Sequence, residues 1–365
     1  MSFKILDRYI LKNFLGTFIM TELIILVLAI VVDMSEKIDK FLNYEAPMSH
    51  ILTYYMDFCI YYGSMYMSLV VFLAATIFTS QFAARSEIIA IFSAGVKYDR
   101  FLRPYIIGAV IITLVSLMFN NFIIPSSNIR RLAFEEKYVK GGKSFDEEYK
   151  QNIHKQIAPG QIIYMQEWRT KTNTGNRFTL ETYDSTGVMI KKLNADYISY
   201  DKDSSTFKLT TCFIRDINPD GTERLRSEYS IDTAFAFTPD DFAMEKNVGE
   251  KKNTIELSQI IEKEIERGSA GVRALKTERY KRLSMPFSTI ILTVLAVTLC
   301  SRKKRGGTGI NIAIGITLMA AYLFMLRIFE TIAAQGTDAF PLLWVWIPNI
   351  LFTIIAYYTY KNAKK

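Results

Sequence analysis

The stretch FLGTFIMTELIILVLAIVV, residues 14–32, carries a single ionisable residue, Glu22. A helix needs about 20 mostly apolar residues to cross a hydrocarbon core about 30 Å thick. Lipid offers no partners to free backbone groups, so such a stretch is expected to be helical. Five more stretches have the same character: 51–78, 105–124, 285–300, 308–334 and 341–360. We therefore predict six transmembrane helices.

A polar block separates the third span from the fourth. Residues 126–278 contain 24 Lys and Arg and 25 Asp and Glu, whereas the whole chain has a net charge of +8. The basic excess therefore belongs to the apolar parts of the chain. We predict three regions: 1–125 with three spans, 126–278 as an inserted domain, and 279–365 with three more spans.

The polar block has the pattern of β-strands. Short alternating segments are typical of half-buried strands joined by turns. They are predicted at 161–168, 177–183, 188–192, 197–200, 206–214 and 228–237. Turns are predicted at 174–176, 185–187, 201–205 and 218–221. Helices are expected on either side, at 126–140 and 254–267. This predicts an antiparallel sandwich or open barrel inserted into a helical membrane protein.

The distribution of basic residues predicts the orientation. If the N-terminus is cytoplasmic, the inner segments 1–13, 79–104, 301–307 and 361–365 hold fourteen Lys and Arg. The two short outer loops hold only Lys37 and Lys40. Cytoplasmic loops carry such an excess of basic residues. Both termini are then expected inside the cell, with residues 126–278 on the opposite side.

No pattern for catalysis is visible. The two histidines, His50 and His154, belong to no metal-binding pattern, and the phosphate-loop and nucleophile-elbow patterns are missing from the sequence. The glycine-rich residues 306–309 lack the lysine that a phosphate loop needs. We expect no enzyme activity and no cofactor on this chain, so that any ATP would be used by a partner.

Residues 83–95, AARSEIIAIFSAG, predict a short apolar helix on the cytoplasmic side. Ser86 can cap it, Glu87 suits its positive end, and Gly95 can end it in a left-handed conformation. The apolar residues are Ile88, Ile89, Ile91 and Phe92. The apolar surface of such a helix is expected to be buried against lipid or protein. Two interpretations remain open: it lies on the lipid surface, or it docks into a groove of a cytoplasmic partner.

At this point the chain resembles the LptF/LptG family, the permease subunits of the lipopolysaccharide exporter. Four motifs carry the resemblance: LDRYILKNF at 6–14, SEIIAIFSAG at 86–95 followed by Arg103-Pro104, NFIIP at 121–125 and LSMPF at 283–287. Each motif is short, but their order and the arrangement of three spans on each side of a β block match the family over the whole chain.

The resemblance implies a periplasmic β-jellyroll and a location in the inner membrane of a Gram-negative bacterium. It implies pairing with a second permease subunit, a dimer of an LptB-like ATPase and a bitopic LptC-like partner. Lipopolysaccharide would enter between spans one and five of opposing subunits and pass to the jellyroll. The ATPase would dock on the helix at 86–95, and the candidate coupling residues are Glu87, Ile88, Ile91, Phe92 and Gly95.

The phosphates of lipopolysaccharide need cations at the outer interface. The family uses basic residues near the outer ends of spans one, three and five. The resemblance therefore implies four candidates in this sequence: Lys37, Lys40, Arg131 and Arg327. Each of them is alternatively a snorkelling interfacial anchor, and Arg327 is alternatively paired with Glu330. Glu22 is either a cavity-facing group or a structural helix contact.

Two rival functions stay open on the sequence. One is export of another lipid or of lipoprotein through a similar lateral gate. The other is a membrane scaffold or sensor whose β-domain binds a periplasmic protein, without an ATPase partner. The sequence also leaves open which of the two subunit types this is, and whether two copies of the chain can pair.

Overall fold

The computed structural model describes residues 4–140, 149–202, 204–218, 220–235, 237–239, 248–266, 271–301, 307–336 and 340–364. Two sets of predicted features lie outside these residues. The first is the basic run 302–305 of the third inner segment together with Gly306. The second is Lys365 at the C-terminus.

Long helices build the first part of the chain. They are α1 (Ile5–Asn43), α2 (Met48–Ala84), the short α3 (Glu87–Ser93), α4 (Tyr98–Met118) and α5 (Ile124–Tyr138). A π-helical turn, Phe119–Ile123, joins α4 to α5 without a break. After the sheet come α6 (Val248–Lys251), α7 (Thr254–Glu266), α8 (Val272–Cys300), α9 (Gly307–Gln335) and α10 (Pro341–Ala363).

Among the described residues, six helices of 23 to 41 residues are long and apolar enough to cross a membrane. Five of them contain the predicted stretches whole, and the remaining one, Ile312–Gln335, covers 312–334 of the predicted 308–334, which confirms the predicted spans. Several helices exceed the predicted lengths. At 1.5 Å per residue, the 39 residues of α1 measure about 58 Å. This helix is therefore much longer than a hydrocarbon core of about 30 Å, and its polar ends extend beyond such a core.

Buried polar side chains link α8, α9 and α10. Asn349 of α10 donates from Nδ2 to the backbone oxygen of Ser284 at 2.9 Å, and it accepts a 2.9 Å bond from the Tyr322 hydroxyl. All three residues are buried. In an apolar environment an unpaired amide is costly, so this interlocked set specifies how the three helices pack.

Six strands follow α5. They are β1 (Tyr149–Ala158), β2 (Gln161–Arg169), β3 (Thr174–Tyr183), β4 (Met189–Asp201), β5 (Thr206–Ile217) and β6 (Glu223–Thr233). They form one antiparallel sheet in sequential order, β1 to β6. This confirms the predicted membrane helices with an inserted antiparallel β-domain between the third and fourth spans.

One face of the sheet builds its own core. Met165, Phe178, Ala195 and Cys212 stand opposite one another across β2 to β5, and all four are buried. Trp168 of β2 is fully buried in the same cluster. The alternation of buried and exposed positions explains why the strand pattern was visible in the sequence.

Three details of the sheet differ from the predictions made from the sequence. Residues 174–176 were predicted as a turn but belong to β3, because they pair with β2 on one side and β4 on the other. The segments predicted at 188–192 and 197–200 are one continuous strand, β4. Strand β1 was not predicted. The turns predicted at 185–187, 201–205 and 218–221 do connect consecutive strands.

The described chain forms two compact units. The first comprises 1–134, 249–254 and 273–365, and the second comprises 135–248 and 255–272. The helix α7 provides buried residues Leu257 and Ile261 to its surroundings, together with Glu264, which lies 3.9 Å from the Lys155 ammonium of β1. The apolar positions of this helix are only partly buried, because Ile255 is largely exposed.

Candidate functional site

The helix α3 has an inner and an outer face. Ile88 is buried in the core of the first unit, and Ile91 and Phe92 pack against the same core. Ile89 is 50% exposed, and Ala90 is exposed beside it. Three of the predicted coupling residues therefore anchor α3 to its own chain. The outward face is narrower than the sequence indicated.

The ends of α3 follow the predicted positions, with one difference. Gly95 adopts the left-handed conformation, φ 80°, as predicted. Ser86 precedes the helix in a left-handed conformation, φ 61°, and its side chain does not cap it. The predicted cap is therefore wrong, because this backbone conformation belongs to a tight turn after α2 rather than to an extended N-cap residue.

Glu87 lies at the positive end of α3, where a carboxylate is favoured. It accepts a 3.4 Å hydrogen bond from the Tyr9 hydroxyl of α1, and its carboxylate lies 3.9 Å from the Arg85 guanidinium. Its side chain is 34% exposed. Both contacts are long, so Glu87 stays accessible to a cation from outside the chain.

The two lysines predicted after span one differ in their surroundings. The Lys37 ammonium lies 2.6 Å from the Asp33 carboxylate and donates a 2.6 Å bond to the Tyr54 hydroxyl, which itself donates to Asp33 at 3.0 Å. Lys40, one turn further, is exposed. Lys37 therefore serves the packing of α1 against α2, whereas Lys40 is open to a ligand.

Arg131 lies inside the first unit. Its guanidinium stacks over the Tyr61 ring at 4.3 Å and donates from Nε to Asn128 at 3.1 Å. Only 5% of the residue is exposed. Its neighbour Arg130 donates from Nε to the buried carboxylate of Asp57 at 2.9 Å. The geometry gives both arginines a structural role in joining α5 to α2.

Arg327 of α9 is exposed although it has a carboxylate partner. It contacts Glu330, one turn on, at 3.4 Å, but its side chain remains 57% exposed. The predicted pair with Glu330 therefore exists without covering the guanidinium. Of the four predicted phosphate-binding residues, Lys40 and Arg327 are accessible, and Lys37 and Arg131 are held by their own chain.

The sequence matches the family described as "Lipopolysaccharide export system permease LptF/LptG" over residues 8–362. The chain belongs to the LptF/LptG family. Among curated proteins, none matches it significantly. Members of this family are transport permeases, and the match covers both sets of spans and the inserted β-domain. This LptF/LptG chain is therefore an integral membrane permease of the lipopolysaccharide transport type.

Glu22 remains the ionisable residue in the middle of span one of this LptF/LptG chain. It packs on Gly63 of α2, where a Cβ atom would lie 2.8 Å from its Oε1. Its other oxygen, Oε2, is buried without a hydrogen-bond partner among the residues that the structure describes. The geometry places Glu22 at a contact between helices, one of the two alternatives for this residue.

Sequence reasoning missed the residues that bind the candidate cations. Asp33 precedes Lys37 by four positions, a spacing that joins opposite charges on one helix face and was open to recognition. Asn128 precedes Arg131 by three positions on α5, a local spacing that was equally open to recognition. Tyr54 and Tyr61 gave no comparable signal, because their contacts depend on how α2 packs against α1 and α5.

Proposed function

We propose that this permease extracts lipopolysaccharide from the periplasmic leaflet of the inner membrane and passes it to its periplasmic β-domain. Both termini and α3 are then cytoplasmic. The family match over 8–362 carries this proposal. The exposed Lys40 and Arg327 agree with it, because an anionic glycolipid needs accessible cations beside an apolar surface.

The energy comes from a partner in this proposal. An LptB-like ATPase dimer docks on the outward face of α3, where Glu87 and Ile89 are accessible. A second LptF/LptG-type subunit completes the cavity, and an LptC-like bitopic partner continues the β-domain. Because Ile88 is buried in the core, a movement of α3 would be transmitted directly to α1, α2 and α4.

A release assay tests the proposal. The complex is purified from cells expressing the chain, reconstituted with lipopolysaccharide in proteoliposomes, and supplied with ATP in the presence of a soluble β-jellyroll acceptor. We expect ATP-dependent transfer of lipopolysaccharide to the acceptor. Transfer of another lipid or of lipoprotein, with lipopolysaccharide left behind, would refute the assigned cargo. Purification of the chain without any ATPase would refute the transport mechanism and favour the scaffold or sensor.

A further inference from the structure

A cavity of about 300 Å³ lies within the first unit, and none of the four candidate phosphate-binding residues lines it. Its size is at the lower end of the about 300–1,000 Å³ found for small-molecule sites. Its lining residues come from the π-helical turn, the start of α7, α8 and the first turn of α10: Asn121, Thr254, Arg279, Tyr280, Arg282, Leu283 and Leu342.

Hydrogen bonds hold the charged side chain of Arg282 in place at the wall of this cavity. Only 6% of the residue is exposed. Its Nη2 donates to the backbone oxygens of Gly249 at 2.6 Å and Lys252 at 2.7 Å, and its Nη1 donates to the Thr254 hydroxyl at 3.1 Å. These bonds use three of the five N–H hydrogens of a guanidinium. Within the described part of the chain, Nε and one hydrogen of Nη1 keep the capacity to bind a ligand.

The acceptors of Arg282 are all neutral. Two carboxylates, Glu278 and Glu250, also act on it electrostatically, but neither forms an ion pair with it among the described residues. Glu278 is bound by Lys281 at 3.2 Å. A second guanidinium, Arg279, lines the same cavity and lies 5.3 Å from the centre of the Tyr280 ring. The wall of the cavity is therefore cationic, and Arg279 and Arg282 are one turn apart on α8.

The cavity also has apolar lining residues. Leu283 is 50% exposed and Leu342 is 44% exposed. Leu283 precedes the apolar part of α8, and Leu342 belongs to the first turn of α10. Both positions are at the ends of membrane-spanning segments, where lipid head groups meet the protein. A ligand that joins a phosphate to acyl chains matches this combination of cationic and apolar lining residues.

We propose that the cavity binds the phosphate of an anionic glycerophospholipid, held as a resident lipid distinct from the transported one. The guanidinium groups of Arg279 and Arg282 bind the phosphate, and Leu283 and Leu342 contact the first methylenes of the acyl chains. Asn121 and Thr254 line the cavity while the Thr254 hydroxyl donates to the Asn121 side-chain oxygen. The lipid therefore fills the space between α8, α10 and the start of α7.

Native mass spectrometry of the detergent-purified full complex tests this. After delipidation, the complex is titrated with phosphatidylglycerol, phosphatidylcholine or inorganic phosphate. We expect one phosphatidylglycerol per copy of this chain, retained at least about tenfold more tightly than phosphatidylcholine. Loss of one charge-assisted contact, worth about 1.5–3 kcal/mol, corresponds to about a tenfold loss or more. Arg279→Gln should therefore weaken retention by about tenfold.

Two variants complete the design. Leu342→Trp fills the apolar side and should abolish retention without touching the hydrogen bonds of Arg282. Lys361→Gln removes a charge at the opposite end of α10 and should leave retention unchanged. Helix content, measured by circular dichroism, identifies a variant that fails to fold. If one of the two cavity variants does not fold, retention by the other one tests the proposed lipid site.

Three results would overturn the proposal. Retention of phosphatidylglycerol unaffected by both Arg279→Gln and Leu342→Trp would place the lipid elsewhere. Saturation by inorganic phosphate with no lipid bound would define a free-phosphate site. Lipopolysaccharide in the cavity in place of phosphatidylglycerol, shown by the adduct of a photoreactive residue at Leu342, would assign the cavity to the cargo.

Discussion

Arg327 faces Glu330 across one turn of α9 at 3.4 Å, yet the arginine keeps 57% of its side chain exposed while the glutamate keeps 13%. The ion pair is therefore one-sided: Glu330 is covered, and the guanidinium is presented outward. A surface pair of this kind contributes little to stability. A second anion can bind the exposed side of Arg327 without displacing Glu330.

Replacing Arg327 with Gln should lower lipopolysaccharide transfer by about tenfold, because one charge-assisted phosphate contact is lost. Lys40→Gln should act in the same direction. Transfer in the reconstituted system is the measurement, and the midpoint of thermal unfolding should stay near the wild-type value. A normal transfer rate in the Arg327→Gln, Lys40→Gln double variant would refute the role of both residues.

Lys37 lies in α1 like Lys40, but we expect its replacement to affect stability rather than transfer. Lys37→Gln removes the partner of Asp33 and of the Tyr54 hydroxyl, and it should lower thermal stability more than either Lys40→Gln or Arg327→Gln does. The reason is that a half-buried carboxylate loses its counterion. If Lys37→Gln left stability unchanged and abolished transfer, Lys37 would be a cargo contact after all.

The two faces of α3 are separable by mutation. Ile88→Ala empties a site that is 1% exposed and should reduce the free energy of unfolding by about 2–5 kcal/mol. Ile89→Ser, at a half-exposed position, should leave the free energy of unfolding nearly unchanged and weaken co-purification of the ATPase. Glu87→Lys should weaken it as well. Full co-purification of the ATPase with both the Ile89→Ser and the Glu87→Lys variant would show that the outward face of α3 does not dock the ATPase.

The turn between β1 and β2 requires Gly160. It has φ 73°, and a Cβ atom would lie 2.7 Å from the backbone oxygen of Tyr183. Gly187 has φ 84° with open space around it. The left-handed conformation alone costs about 1–2 kcal/mol in a non-glycine residue. Gly160→Ala should therefore destabilise the sheet clearly more than Gly187→Ala.

The fluorescence of Trp168 can report the unfolding of the sheet. It is fully buried there, and its fluorescence can be isolated in the full chain by replacing Trp344 and Trp346 with Phe. Denaturant titration then compares the Gly160→Ala and Gly187→Ala variants. Equal losses of stability would show that the contact with Tyr183 is relaxed at no cost.

Acid should weaken the same sheet through Glu181. Hydrogen bonds from the Lys192 ammonium and the Tyr183 hydroxyl, both 2.8 Å, lower the pKa of this carboxyl below its ordinary 4.5. The contribution to stability is present above pH 4.5 and is lost as the pH falls through the lowered pKa. Glu181→Gln should flatten this acid dependence in Trp168-detected unfolding. An unchanged pH profile would contradict the assignment to Glu181.

The sequence was sufficient for the six spans and for most strands, because both depend on local apolar patterns. The helix ends were harder to predict. In α1 the helix continues through polar residues as far as Asn43, so the end of the apolar stretch at Val32 did not mark its boundary. Residues 174–176 have a turn-like composition, yet pairing with two neighbouring strands overrides that local preference.

The candidate site was harder still. Basic residues near the ends of the spans were visible in the sequence, but exposure decides which of them can bind an anion. Exposure depends on side chains brought from other helices, such as Tyr54 beside Lys37 and Tyr61 beside Arg131. The same holds for α3, where packing against the core turned Ile88 inward and left Ile89 outside.

We propose that lipopolysaccharide passes this chain at its exposed cations, Lys40 and Arg327. The most direct measurement places a photoreactive residue at Arg327 or at Lys40 in living cells and identifies the adduct by mass. We expect a lipopolysaccharide adduct at both positions that depends on an active ATPase, and little adduct at Arg131. Adducts only with glycerophospholipid or lipoprotein at both exposed positions would contradict it.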